Sequence, residues 1–230
     1  MTPRTSFLTS VIAGRDLGAL SGPLIGASFI GGAGGGVALS DYPYPLPGST
    51  PKEVRRYFGE SSTPGRLSAI GQLISAVSLV RFTVSVAKLA RRAEPPSRTL
   101  RAAAIVGGGV AAASLATSAA CAAALTGDRG RRDSSAVALH RWGFLAGGPV
   151  HGAGFGALVG VLGLAGSRTG ELPRPLANAA LASAAAGLLS PLYLVTERAA
   201  LLIPAGRVTG LIVSGIAGAR LSRQPVRSRR

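Results

Sequence analysis

Six stretches of roughly 20 apolar residues, separated by short connections that hold most of the charge, constrain this chain more than any other feature. They run over residues 17–40, 67–87, 102–127, 142–166, 175–196 and 199–219. At about 1.5 Å of rise per residue, each is long enough to cross about 30 Å of hydrocarbon as a helix. A bilayer core offers backbone groups no water to bond, so each stretch must satisfy its own N–H and C=O groups or be buried within a bundle. Hydrophobic residues make up 47% of the chain and charged residues 15%. The mean hydropathy is +0.37, a balance foreign to a water-facing surface. The fold class that follows is all-α, a polytopic transmembrane bundle of six spans. Five spans is the alternative, because Pro204 and Arg207 stand near the start of the last stretch and would suit a re-entrant first turn.

Lys and Arg total 25 against 9 Asp and Glu, a formal charge of +16. In a soluble protein that excess would point to nucleic acid. Here no basic face is interleaved with stacking aromatics, which excludes that partner class, and the basic residues fall in connections where they meet anionic headgroups and set orientation. The segment "KLARRAEPPSRTLR" and the tail "RLSRQPVRSRR" are densest in Arg and are separated by four spans. Both therefore lie on one side, the cytoplasm, with both termini inside and residues 41–66, 128–141 and 197–198 outside. The division is a cytoplasmic N-terminus over 1–16, a membrane domain over 17–221 and a basic cytoplasmic tail over 222–230. Lysine occurs only at Lys52 and Lys88 while Arg, Ala and Gly abound, the usage of a GC-rich bacterial genome, so the membrane is the bacterial cytoplasmic one. Arg15 and Asp16 interrupt the first apolar piece before a cleavable signal develops, and Cys121, the single cysteine, excludes an internal disulfide.

The first outer connection carries the strongest local signals. "DYPYPLPGS" alternates proline with bulky residues, an extended path that sets Tyr42 and Tyr44 at headgroup level. In "TPKEVRRYFG", Thr50 is an N-cap, Pro51 occupies the first helical position, Glu53 completes a capping box, and Gly59 is placed to end the helix with positive φ. Val54, Tyr57 and Phe58 then share one face of a short amphipathic helix, opposite Lys52, Arg55 and Arg56. With "PGSTPKEVRRYFGES" after the first span, a basic break after the second and "GELPRP" before the fifth, the chain resembles small multi-pass membrane proteins of GC-rich bacteria known as domains of unknown function. The resemblance implies the same topology and carries over no catalytic residue.

The stretch "GGPVHGAGFGALVG" admits three readings. "GAGFGA" matches a dinucleotide fingerprint, but no strand precedes it and none leads to Glu171, so the nucleotide reading fails. A haem between His140 and His151 fails as well, because eleven residues of helix separate the two by about 16 Å. The four-residue period of Gly148, Gly152, Gly156 and Gly160 makes a helix-packing stripe instead, and Gly22 with Gly26 repeats it in the first span, so those two spans are the expected partners.

His151, Arg207, Arg81 and Glu197 are the candidate ligand-binding residues, since a polar or ionisable group at membrane depth is a site hypothesis by default. Arg81 is two turns from Lys88 and suits snorkelling; Arg207 has Glu197 as its nearest acid in sequence. All acids lie at or beyond span ends, which removes the carboxylate a proton-coupled transporter needs, and no catalytic constellation, metal cluster or cofactor motif is present. The expected role is an accessory or stabilising subunit that binds membrane lipid, another membrane protein or itself. The rivals are a small transporter or channel for an amphiphilic or anionic solute, and a membrane enzyme acting on a lipid-like substrate. Reporter fusions after Arg98 and after Arg223 should both report the cytoplasm, and one near Ser61 the outside; Ser61 and Arg98 fusions on the same side would remove the second span.

Overall fold

The computed structural model describes residues 16–60, 62–127 and 133–223, and among them there is helix and turn but no strand. The N-terminal stretch 1–15, the tail 224–230 and most of the basic "GDRGRRD" connection lie outside the described residues. Six helices are long and apolar enough to cross a membrane: α1 Leu17–Ala38, α3 Ser62–Arg92, α4 Arg98–Leu125, α5 Ser134–Arg168, α6 Arg174–Leu194 and α7 Glu197–Arg223. The short helix α2, Pro51–Arg55, belongs to the connection between the first two. The protein is thus an all-α membrane bundle.

Local chemistry sets the helix ends. Asp16 caps α1 by accepting from the Gly18 N–H at 3.1 Å, and Ser97 caps α4 by accepting from Leu100 N–H at 3.2 Å. Gly170, at φ 70°, ends α5 in the left-handed region that a side chain disfavours, and the Leu172 N–H reaches back to the Gly166 carbonyl at 3.1 Å. Thr50 and Glu53 form the reciprocal capping box read from the sequence, Thr50 N–H donating to the Glu53 carboxylate at 2.7 Å.

Two expectations are corrected and one alternative falls away. The fourth span begins at Ser134, about two turns before Trp142, because Arg141 lies exposed on a helix that continues past it. The sixth span is no re-entrant segment: after a 3-10 turn over Glu197–Leu201 it is continuous α-helix from Leu202. Pro204 sits in the first turn of that α-helical stretch, where a missing N–H costs little. Gly59 does not take positive φ; α2 runs on through a π turn over Arg56–Glu60 instead.

The six spans close into a ring in which α1 packs on α3, α3 on α4, α4 on α5, α5 on α6, α6 on α7, and α7 back on α1. Phe82, Phe155, Leu79, Leu115 and Leu158 fill the middle. Alongside these, the spans bury small and polar residues and leave many other large apolar ones exposed. On α3, Ser68, Ser75, Ser78 and Ser85 are buried, whereas Ile70, Leu73, Val77, Val80 and Val84 face outward. That inversion fits hydrocarbon as solvent, where close packing and interhelical hydrogen bonds replace the hydrophobic drive. Ser75 shows it directly, donating across to the Ile25 carbonyl of α1 at 3.0 Å.

Asp16, Ser85 and Gly218 meet at one end of the bundle: Ser85 Oγ donates to the Asp16 carboxylate at 2.9 Å, and a Cβ on Gly218 would strike the Ala19 carbonyl of α1. The described ends of the first and last spans therefore share that end, where Arg92 also pairs with Glu171 at 2.8 Å.

The glycine stripe of α5 meets α6 rather than α1. A Cβ on Gly156 would lie 2.9 Å from Leu188 N and 3.0 Å from the Ala184 carbonyl, one on Gly160 3.1 Å from Ala184 Cβ, and Gly152 faces Ser190. Gly187 answers from α6, and Gly206 of α7 approaches Gly187, its Cβ position 2.7 Å from Gly187 N. Gly22 instead lies against Gly218 of α7 and the Phe82 ring of α3, while Gly26 meets Leu211 at an ordinary 3.7 Å. Replacing Gly156 with Leu should destabilise the detergent-solubilised protein by about 1–3 kcal/mol, read as a lower melting temperature, because backbone rather than flexible side chain stands in the way. Gly109→Ala, whose Cβ meets nothing within 4 Å, should leave melting unchanged or slightly raised.

Candidate ligand cavity

Pro149 cannot donate a backbone hydrogen bond, so the helical ladder of α5 is interrupted where it passes residue 149. The chain answers with a π turn over Ala146–Val150. In a regular helix the His151 N–H would bond the carbonyl of Gly147, four residues back; here it bonds those of Ala146 and Gly148. The Gly147 carbonyl instead accepts from the Arg207 guanidinium of α7. A second π turn, Ile30–Gly34 in α1, faces the same space, and just before it Phe29 presents its ring face 4.9 Å from the Arg207 guanidinium carbon. Such turns are frequent at functional sites.

The two turns hold the helices off one another and leave a partly open cavity of about 510 Å³. Its walls are mostly apolar, from Phe29 and Val37 of α1, Leu115 of α4, Phe144 of α5 and Ile203 of α7. Arg207 is the one cation among the described residues that lines it, accompanied by Gln72 and Ser68 of α3, Ser118 of α4 and Tyr44. Gln72 Nε2 donates to Ser68 Oγ at 3.0 Å, but Gln72 Oε1 and Arg207 Nε are buried without a hydrogen-bond partner. An acceptor lone pair and a cationic N–H left bare inside a bundle are costly unless something else bonds them.

The 41–60 connection packs onto the end of the bundle next to this cavity. Val54, Tyr57 and Phe58, the predicted apolar face of α2, are each at most 3% exposed and pack against Ala69, Ala122, Leu125 and Ala136. Tyr44 stands edge-on to Tyr57 with ring centroids 5.2 Å apart. His140, buried on α5, donates from Nε2 to the Leu46 carbonyl at 3.2 Å and fastens the proline-rich strap. Tyr42 remains peripheral, donating to Glu60 at 2.9 Å. Burial pushes the Tyr57 hydroxyl up to about 12, aided by neighbouring Tyr44. Burial likewise raises Tyr44, against the opposing pull of Arg207.

Of the residues singled out in the sequence, Arg207 and Gly148 line the cavity. Gly148 is set apart from the packing stripe because the π turn inserts a residue and shifts the phase between it and Gly152. His151 is not among the lining residues: 1% exposed, it donates from Nδ1 to the Ala111 carbonyl of α4 at 3.0 Å and stacks on Phe155 at 5.5 Å. Glu197 is exposed at the start of α7 and makes no ion pair with Arg207, ten residues and about 15 Å along the helix. Arg81 is exposed on the outer side of α3. Sequence reasoning missed Gln72, although a lone amide in "AIGQLISAV" is a legible signal at membrane depth. It also missed Phe29 and His140 as cavity wall and fastener, for which the sequence holds no cue.

Comparison of the chain with protein-family models, with curated proteins and with solved structures finds no match.

The tyrosine packing carries a pH signature. An unfolded tyrosine ionises around its ordinary value of 10.0, whereas packed Tyr57 keeps its proton to about 12. The strap's packing is therefore fully favoured below pH 10 and loses stability as pH rises from there through about 12. An ultraviolet absorbance titration should show Tyr57 ionising late, and Val54→Ser, which loosens the contact, should return it toward the ordinary value.

Proposed function

We propose that this protein is a membrane-embedded binding protein or carrier for an amphiphilic anion, held in the cavity with its charge on Arg207 and its apolar body against Phe29, Val37, Leu115 and Ile203. The observation that carries this reading is the cavity itself, where Arg207 Nε and Gln72 Oε1 are both buried without a hydrogen-bond partner. A space of about 510 Å³ lies within the ~300–1,000 Å³ usual for small-molecule sites. The polar groups suit a carboxylic or phosphoric monoester head. Arg207 supplies a planar cationic donor, and Gln72 Oε1 accepts a hydrogen bond from a hydroxyl or protonated acid.

This moves the balance away from a purely accessory subunit toward the solute-binding alternative, since bonding the Gly147 carbonyl and facing Phe29 still leaves Arg207 Nε without a hydrogen-bond partner, next to a cavity that Arg207 lines. It also weighs against the enzyme reading. His151, the expected base, is engaged by Ala111 and Phe155 and does not reach the cavity. With acids confined to the span ends, movement of the solute would be uncoupled from a proton or sodium gradient. Residence in the bacterial cytoplasmic membrane with the basic end inward completes the proposal, on the charge distribution of the connections.

Binding of a fluorescent long-chain fatty acid to the protein in nanodiscs tests it. Arg207→Gln should weaken binding about tenfold to a hundredfold, the worth of one charge-assisted hydrogen bond. Gly34→Leu should abolish binding by filling the cavity, since its Cβ meets only the Ile30 methyl at 3.8 Å. His151→Gln should leave the affinity unchanged. Equal affinity in wild type, Arg207→Gln and Gly34→Leu would show that the probe binds elsewhere and end the proposal.

A further inference from the structure

A second concavity lies away from the Arg207 cavity, between α3 and α4 near the basic end of the bundle, with a volume of about 490 Å³. Glycines make its floor. A Cβ on Gly108 would collide with the Thr83 side chain of α3, so the helices touch there, and one on Gly109 would meet nothing within 4 Å. Thr83 itself is buried and donates its hydroxyl to the Leu79 carbonyl at 2.7 Å, leaving an apolar surface. The rims are Val80 and Val84 of α3 and Ile105 of α4, each about half exposed.

At the mouth stand three cations, Lys88 and Arg91 from the end of α3 and Arg101 from the start of α4. All three are exposed. Among the described residues, no carboxylate lines the groove. From Val80 to Arg91 the groove follows eleven residues of α3, about 16 Å, which is about half of a ~30 Å hydrocarbon core, the depth of one leaflet. An apolar slot one leaflet deep, ending in a cluster of cations at headgroup level, matches an acyl chain joined to a phosphate.

We propose that the α3–α4 groove is a binding site for one anionic phospholipid of the surrounding bilayer, its acyl chain along Val80, Val84, Ile105 and Gly109 and its phosphate among Lys88, Arg91 and Arg101. The site does not depend on the Arg207 cavity. Its occupant is drawn from the bilayer because the groove opens on the apolar outer face of the bundle, where the neighbouring Ile70, Leu73 and Val77 of α3 are also exposed. Each basic residue at a membrane surface favours an anionic headgroup, and three converging on one slot localise that preference.

Native mass spectrometry of the protein released from vesicles of mixed phosphatidylglycerol and phosphatidylcholine tests the site. Wild type should retain one phosphatidylglycerol preferentially. Lys88→Gln, Arg91→Gln and Arg101→Gln together should lower that retention by on the order of tenfold to a hundredfold. Arg168→Gln, Arg174→Gln and Arg220→Gln together remove the same charge from the same end outside the groove and should change it less than about twofold, as for screened surface charges. Gly109→Leu fills the slot from a position with room for a side chain and should lower retention with all three cations in place. The proposal is overturned if the two triple variants lose lipid equally, if Gly109→Leu retains it as wild type does, or if phosphatidylcholine is held as tightly as phosphatidylglycerol.

Discussion

Hydrocarbon offers the backbone no hydrogen bonds, and this bundle depends on how each break in the helical ladder is answered from within the protein. Where the ladder is whole, as along α3 and α4, the helices only have to approach, and glycine, alanine and serine let them do so. Where Pro149 breaks it, the chain inserts a π turn and the Gly147 carbonyl finds its donor in Arg207 of another span. The same guanidinium faces the Phe29 ring beside the second π turn, so one cation ties α1, α5 and α7 together at the point where their helices are least regular.

That arrangement has a consequence for binding. Arg207 uses part of its donor fork on a structural carbonyl and an aromatic face, which holds it at membrane depth without an acid partner. Its remaining Nε is directed to no protein group, and neither is Gln72 Oε1 across the cavity. A buried acid beside Arg207 would have neutralised it and closed the site. The nearest acid in sequence, Glu197, lies instead on the exposed turn that begins α7.

The strap over residues 41–60 completes the enclosure by packing rather than by charge. Val54, Tyr57 and Phe58 lock the amphipathic helix onto α3, α4 and α5, and Tyr44 extends from that packing to the cavity rim. His140, one residue before the exposed Arg141, secures the strap through the Leu46 carbonyl. The proline-rich path therefore serves as a lining element of the cavity. Tyr44 packs edge-on against Tyr57 and His140 while its outer side stays exposed.

Membrane residence, the number of spans and the capped amphipathic helix were legible in the sequence because they rest on local properties. Run length sets what can cross hydrocarbon, and Thr50, Pro51 and Glu53 set a helix start within four residues. The start of the fourth span was less legible, since Arg141 reads as a loop charge until its helix is seen to turn it outward. The identity of packing partners was not legible at all. Gly152 and Gly156 announce a close approach, but only the closing of the ring decides that Gly187 of α6, rather than α1, comes to meet them. The same holds for the cavity: the sequence marks Arg207 as a costly charge, while Gly147 and Phe29, which contact it, and Gln72, which shares its cavity, lie 60 to 178 positions away and come together only through the tertiary fold. Periodicity and composition encode what each helix is. Which faces meet depends on the sum of many weak contacts across the ring, and no single stretch of the chain contains that sum.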